Sequence, residues 1–186
     1  MAEVGAAMQL FWNPSYLEFV KQELVAAVYT DASMRGGYCG IGVCVLDAKT
    51  ERLVSKTSRR VAGYEKNNTA LEARAICEGI ALAASHGFTD IRVYTDSQSL
   101  VQAATGGRAR KRAVKQFVKA IKNLRDSIQV TLFWVRGHAQ HKWNEMSDYL
   151  ARNARWSFGQ LWVMFAKPFL SGLIDLLPLS RRECSS

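Results

Sequence analysis

The chain has 186 residues, 48% of them hydrophobic and 22% charged, which suits one folded domain with a real core and excludes a disordered chain. Its 25 basic side chains against 16 acidic ones leave a formal net charge of +9, which points to a polyanionic partner. Four scattered cysteines (Cys39, Cys44, Cys77, Cys184) without a CxxC pair argue against a disulfide scaffold and a cysteine zinc site. They suit a reducing intracellular compartment, cytoplasm or nucleus.

Residues 1–23 form a poorly patterned leader without the basic start and long apolar core of a signal peptide. Residues 24–30 are nearly all apolar, as in a strand buried on both faces, and the strand is predicted to end at Asp31. A glycine-rich turn at 34–37 follows. Residues 38–47 and 52–61 predict two more strands, joined by a hairpin turn at Asp47-Ala48-Lys49-Thr50. Asn68 or Thr69 is expected to cap a helix that runs to about His86, where Gly87 stops it. Residues 91–95 predict the fourth strand, and 97–104 a short helix halted by Gly106-Gly107. Between Arg112 and Asp126, the residues Val114, Phe117, Val118, Ile121 and Leu124 recur at helical spacing. A fifth strand is expected over 128–135, then a loop over 136–142 and a last helix from about Trp143 to Arg155. Residues 156–186 are expected to form an apolar appendage. Within it, 161–179 is broken by Lys167, Pro168, Asp175 and Pro178. A membrane span needs roughly 20 mostly apolar residues, so none is expected.

Two strands end alike, Val28-Tyr29-Thr30-Asp31 and Val93-Tyr94-Thr95-Asp96. An acid directly after a buried apolar strand is costly unless it is paired or binds a metal. Either aspartate alone could simply cap the turn or helix that follows it. Found twice, the pattern suggests two carboxylates side by side at the C-terminal edge of adjacent parallel strands. Glu72 shares a helix face with Ile76 and Ile80, where a carboxylate calls for a metal or a cation. Asp148 is similarly placed among Met146, Tyr149 and Leu150. Converging carboxylates suit Mg²⁺ or Mn²⁺ and fit phosphodiester chemistry.

In this order, Thr30-Asp31-Ala32-Ser33, Asn68-Thr69-Ala70-Leu71-Glu72, Thr95-Asp96-Ser97-Gln98, Val135-Arg136-Gly137-His138-Ala139 and Asn144-Glu145-Met146-Ser147-Asp148 resemble type 1 ribonuclease H over residues 24–155. The short connections look most like the ribonuclease H domains of retrotransposons and other reverse-transcribing elements. The resemblance implies an α/β ribonuclease H fold, a five-stranded mixed sheet in the order βββαβααβα with helices on both faces. It also implies endonucleolytic hydrolysis of the RNA strand of RNA–DNA hybrids, giving 5′-phosphate and 3′-hydroxyl ends. Asp31, Glu72, Asp96 and Asp148 would hold two Mg²⁺ ions, replaceable by Mn²⁺, with Asp31 bridging both. His138 would assist proton transfer or product departure. Asn144 and Glu145 would cap the last helix and brace Asp148. Asn68 and Gln98, with Ser33 and Ser97 as further candidates, would reach the minor groove and sense the 2′-hydroxyl.

A basic run supplies the other binding feature. Arg108, Arg110, Lys111, Arg112, Lys115, Lys119, Lys122 and Arg125 lie in a stretch without an acid, and phosphate contacts from such a stripe carry no sequence preference. Asp96 and His138 are only 42 positions apart (138 − 96), too few for the extra helix and basic protrusion of the cellular enzymes. Asn67 stands where the family places a DNA-phosphate contact, which puts that contact in question. Two other readings remain open. One is a catalytically idle hybrid-binding module of a larger reverse-transcriptase polyprotein. The other is a transposase-like or exonuclease relative, although those lack the Arg136-Gly137-His138 loop.

Overall fold

Three antiparallel strands open the fold: β1 (Val25–Arg35), β2 (Tyr38–Asp47) and β3 (Leu53–Val61). Helix α1 (Asn68–Ser85) then leads to β4 (Asp90–Thr95). Helices α2 (Gln98–Ala104) and α3 (Arg112–Leu124), strand β5 (Gln129–Trp134) and helix α4 (Lys142–Arg152) complete it. The computed structural model describes residues 24–36, 38–61, 67–109, 111–124, 128–137 and 141–154. The leader 1–23 and the appendage 156–186 lie outside them. The sheet order is β3-β2-β1-β4-β5, with β4 parallel to both β1 and β5. This is the expected five-stranded mixed sheet. Among the described residues, no helix is long and apolar enough to cross a membrane.

Alternation along β1 sorts its side chains between the two faces. Ala26 and Val28 join the core under α1, α2 and α3, with Ile76, Ile80, Leu100, Phe117 and Ile121. Tyr29 points the other way, into a smaller cluster with Cys44, Leu46 and the α4 residues Trp143, Met146 and Leu150. Helix α3 buries Val114, Phe117, Ala120, Ile121 and Leu124, so its lysines face solvent. The hairpin turn is held as expected, with Lys49 N and Thr50 N each donating to Asp47 Oδ1 at 2.9 Å.

Two expectations need correction. Strand β1 does not stop at Asp31 but runs on to Arg35, because β2 offers it an antiparallel partner throughout, from Asp31↔Gly42 to Arg35↔Tyr38. The turn contracts accordingly to Gly36, whose φ of +55° lies in the left-handed region. The cap of α1 is neither Asn68 nor Thr69. Asn67 Oδ1 accepts from Ala70 N at 3.1 Å, which leaves Asn68 as the first helical residue, exposed and available to a ligand.

Helix α4 reaches the sheet through glycines. A Cβ at Gly42 would run into the Ser147 carbonyl oxygen, and one at Gly40 into that of Ala151. Only glycine lets the helix backbone sit this close to β2 and carry Asp148 toward Asp31. Gly42→Ala is therefore expected to destabilise the protein by about 1–3 kcal/mol, the usual range for overpacking. Thermal melts check this, and unchanged stability together with unchanged activity would contradict the packing argument. Across the other face, Glu78 of α1 pairs with Arg59 of β3 and with Arg74 one turn earlier, tying the edge strand to the helix.

Candidate active site

The register of the parallel strands places the two aspartates. Tyr29 of β1 lies beside Tyr94 of β4, and two positions further along each chain stand Asp31 and Asp96. Asp31 pairs with Gly42, so its side chain faces α4. Beyond β4 the chain turns into α2, and Trp134 Nε1 donates to Asp96 O at 3.1 Å. Glu72 projects from the first turns of α1 and is 6% exposed. One carboxylate oxygen from each of Asp31, Glu72 and Asp96 can be chosen so that all lie within 4.8 Å of one another. Asp148, on α4, is close enough to Asp31 to raise the pKa of its carboxyl. These four side chains share one cavity of about 260 Å³.

Crowded carboxylates hold protons. Burial raises Asp31 to about 7, helped by repulsion from Asp96 and by the nearby Asp148. Burial also raises Glu72 to about 9, with Asp31 and Asp96 adding repulsion. Glu72 Oε2 is buried without a hydrogen-bond partner. An orphaned carboxylate oxygen facing two more carboxylates fits a hard cation taken up through oxygen, of the Mg²⁺, Mn²⁺ or Ca²⁺ kind. The donor set contains no thiolate or imidazole among the described residues, which sets it apart from zinc sites.

The other expected residues divide. Ser33, Asn68, Asn144 and Glu145 line the cavity with the four carboxylates. Ser97 and Gln98 stand beside it at the start of α2, and Ser97 makes no side-chain cap. Asn144 and Glu145 do not cap α4. The helix starts earlier, its cap position is His141, and both residues fall in the first turn. Asn144 is buried, and its carbonyl accepts from Ser147 Oγ at 2.8 Å. Arg108, Lys111, Arg112, Lys115 and Lys119 are exposed and none lines the cavity. Lys111 nevertheless reaches its rim, with Nζ 3.4 Å from Thr69 Oγ1, next to Asn68. His138 and Arg110 lie outside the described residues.

One participant escapes a reading of the sequence. Arg152 Nε sits 2.7 Å from Asp148 Oδ1 and also lines the cavity. The i,i+4 spacing of the two residues on a helix was the available signal. Gly137 lets the loop after β5 approach Asp96, since a Cβ there would lie 3.0 Å from Asp96 Oδ2. His141 stacks on Tyr29 with ring centroids 4.9 Å apart.

The RNase H family model matches residues 23–155. This chain belongs to the ribonuclease H family. It is 32% identical to the ribonuclease H of Cupriavidus necator over 149 residues, which cover 72% of this chain and 97% of that one. To the ribonuclease H of Syntrophus aciditrophicus it is 30% identical over 143 residues, or 68% of this chain and 78% of the relative. The fold matches RNase H1 from Halobacterium salinarum with a TM-score of 0.60 at 22% identity, covering 70% of this chain and 96% of that one. It also matches LC11-RNase H1, solved in complex with an RNA/DNA hybrid, with a TM-score of 0.60 at 20% identity. That match covers 69% of this chain and 95% of LC11-RNase H1. As a ribonuclease H, the chain is a hydrolase of the nuclease class. The acidic cavity lies within the matched residues.

Proposed function

We propose that this ribonuclease H cuts the RNA strand of RNA–DNA hybrids internally, leaving 5′-phosphate and 3′-hydroxyl ends. The observation that carries the reading is the convergence of Asp31, Glu72 and Asp96 in a cavity that Asp148 and Asn68 also line. Asp31, Glu72, Asp96 and Asp148 would hold two Mg²⁺ ions, for which Mn²⁺ can substitute. Divalent cations at such a site supply an activated water at neutral pH and offset charge on the scissile phosphate.

The protein's own groups do the rest. Asn68, released from capping by Asn67, presents an amide that can hydrogen-bond a ribose 2′-hydroxyl. Gln98, Ser97 and Ser33 add polar contacts along the same groove. Asn144 and Glu145 shape the wall beside Asp148, and His138 takes up or releases a proton as product leaves. The exposed face of α3 contacts phosphates, and Lys111 joins that face to the cavity rim. Changing Lys115 and Lys119 together to glutamine is expected to weaken hybrid binding and to lower its log–log salt slope by about 2, since each phosphate contact contributes about 0.9. Anisotropy titrations over a range of salt measure this, and an unchanged slope would remove α3 from the interface.

We place the chain nearest the ribonuclease H domains of retroelements and read it as a candidate segment of a reverse-transcriptase polyprotein. Between β4 and β5 the described residues hold only α2 and α3, which supports the short-connection pattern. Residues 24–155 would form the catalytic domain, between a leader and an apolar appendage. Cys39, Cys44 and Cys77 are buried thiols, in keeping with a reducing compartment. The test of the reaction is a labelled RNA–DNA hybrid beside duplex DNA of the same sequence, in Mg²⁺. Internal cuts in the RNA strand alone are expected. Cleavage of duplex DNA at a similar rate would point to another nuclease on this fold.

A further inference from the structure

Of the four carboxylates, only Asp96 stands outside a strand or helix. Asp31 lies within β1, paired with Gly42 of β2, while Glu72 lies within α1 and Asp148 within α4. Strand β4 ends at Thr95, one residue short of Asp96, and α2 begins only at Gln98. Asp96 is also exposed, so packing does little to fix it. Its backbone is held by hydrogen bonds beyond the ladder. The Asp96 carbonyl oxygen accepts from Gln98 N at 2.9 Å, a bond that ties the turn only to itself. It also accepts from Trp134 Nε1 at 3.1 Å, and this donor comes from the neighbouring strand β5. The second bond ties the turn to the sheet.

Trp134 is the last residue of β5 and pairs with Thr95, the last of β4. It keeps 49% of its surface exposed, so it adds less to the core than a buried aromatic would. What it does make is a directed contact, with its indole N–H turned onto the chain that follows β4. Next to it, Val135 N donates to Thr95 O at 2.9 Å, which keeps the two strand ends together. Gly137 closes in from the same loop, where a Cβ would stand 3.0 Å from Asp96 Oδ2. A carboxylate that takes up a cation works only if its neighbours hold it in place, and the peptide group that Trp134 fixes adjoins the Asp96 Cα. We propose that Trp134 is a positioning residue, whose indole N–H fixes the Asp96 backbone so that this carboxylate stays level with those of Asp31 and Glu72. This rests on the proposed reading of the acidic cavity as a cation-dependent, hybrid-cleaving site. Trp134 acts through Asp96 and not on the hybrid.

The test uses the full chain. Trp134→Phe keeps an aromatic ring at the strand end and removes the N–H. Benzothienylalanine in place of Trp134 keeps the two-ring shape as well, with sulfur where the N–H was. Mg²⁺ binding in the absence of hybrid is followed by calorimetry. Both changes are expected to weaken it by about 3- to 10-fold, the share of one hydrogen bond, and to raise the Mg²⁺ needed for half-maximal cleavage by a similar factor. KM for the hybrid at saturating Mg²⁺ should not change, and the benzothienylalanine protein should melt in EDTA as the wild type does. In an Asp96→Asn background, Trp134→Phe should cost no further Mg²⁺ affinity, because the two residues act as one unit. Three results would overturn the assignment: unchanged Mg²⁺ affinity with benzothienylalanine, a loss of affinity that tracks a fall in Tm, or a full extra loss on top of Asp96→Asn. If the wild type neither binds Mg²⁺ nor cuts the hybrid, the reading of the acidic cavity fails as well. If it does both and the benzothienylalanine protein matches its Mg²⁺ affinity, only the role of Trp134 fails.

Discussion

Asp96→Asn is expected to lower Mg²⁺-dependent cleavage of a hybrid by about 10³-fold or more while the fold survives. The reason is charge rather than shape. Asp96 offers a carboxylate oxygen within 4.8 Å of those of Asp31 and Glu72, and an amide cannot replace a charged oxygen ligand. Electrostatic stabilisation at such a site is worth several kcal/mol, and each 1.36 kcal/mol is tenfold in rate, so about 10³-fold follows from about 4 kcal/mol. The substitution keeps the side-chain volume at an exposed position whose carbonyl is held by Trp134. It also removes repulsion acting on Asp31 and Glu72. Stability without metal should therefore hold or rise. Gel assays of hybrid cleavage and thermal melts of the same preparation test both halves. Full activity in the variant would remove Asp96 from the reaction.

Without divalent metal, the protein is expected to lose stability as pH rises from about 4 to about 9. Asp31 is raised from 3.8 to about 7 and Glu72 from 4.5 to about 9, each mainly by burial. Over that window the folded state keeps protons that the unfolded chain has released. Stability then falls with pH, because the folded state binds more protons. The contribution is fully present below the unfolded values and is lost as pH passes through the folded ones. Mg²⁺ should reverse the loss at pH 8, since cation binding to the native carboxylates stabilises by mass action. Glu72→Gln should flatten the profile most. The measurement is Tm against pH, in EDTA and in Mg²⁺. A metal-free profile that climbs across this window would contradict the electrostatic account of the site.

Much of the site could be read locally. The repeated Tyr-Thr-Asp pattern suggests Asp31 and Asp96 at one level of adjacent parallel strands, and the Tyr29↔Tyr94 register agrees, although β1 continues past Asp31. Glu72 stood out because a carboxylate among Leu71, Ile76 and Ile80 breaks the apolar pattern of its helix. What escaped depends on partners distant in sequence. The extension of β1 to Arg35 exists only because β2 pairs with it, and nothing between 31 and 35 announces that. Asn67 rather than Asn68 caps α1, a one-residue choice that composition cannot make when both are asparagine. The hydrogen bond from Trp134 to the Asp96 carbonyl joins residues 38 positions apart, and neither segment announces it. The close seat of α4 on Gly40 and Gly42 is legible only once the sheet is built.

The most direct test of the whole account is a single assay. The purified chain is incubated with an end-labelled RNA–DNA hybrid in Mg²⁺, with and without EDTA, beside Asp31→Asn. Internal cuts confined to the RNA strand, abolished by the chelator and by the substitution, are the predicted result. Cleavage that persists in EDTA or in Asp31→Asn would contradict a reaction built on these carboxylates, and tight salt-sensitive binding without any cleavage would recast the protein as a hybrid-binding module.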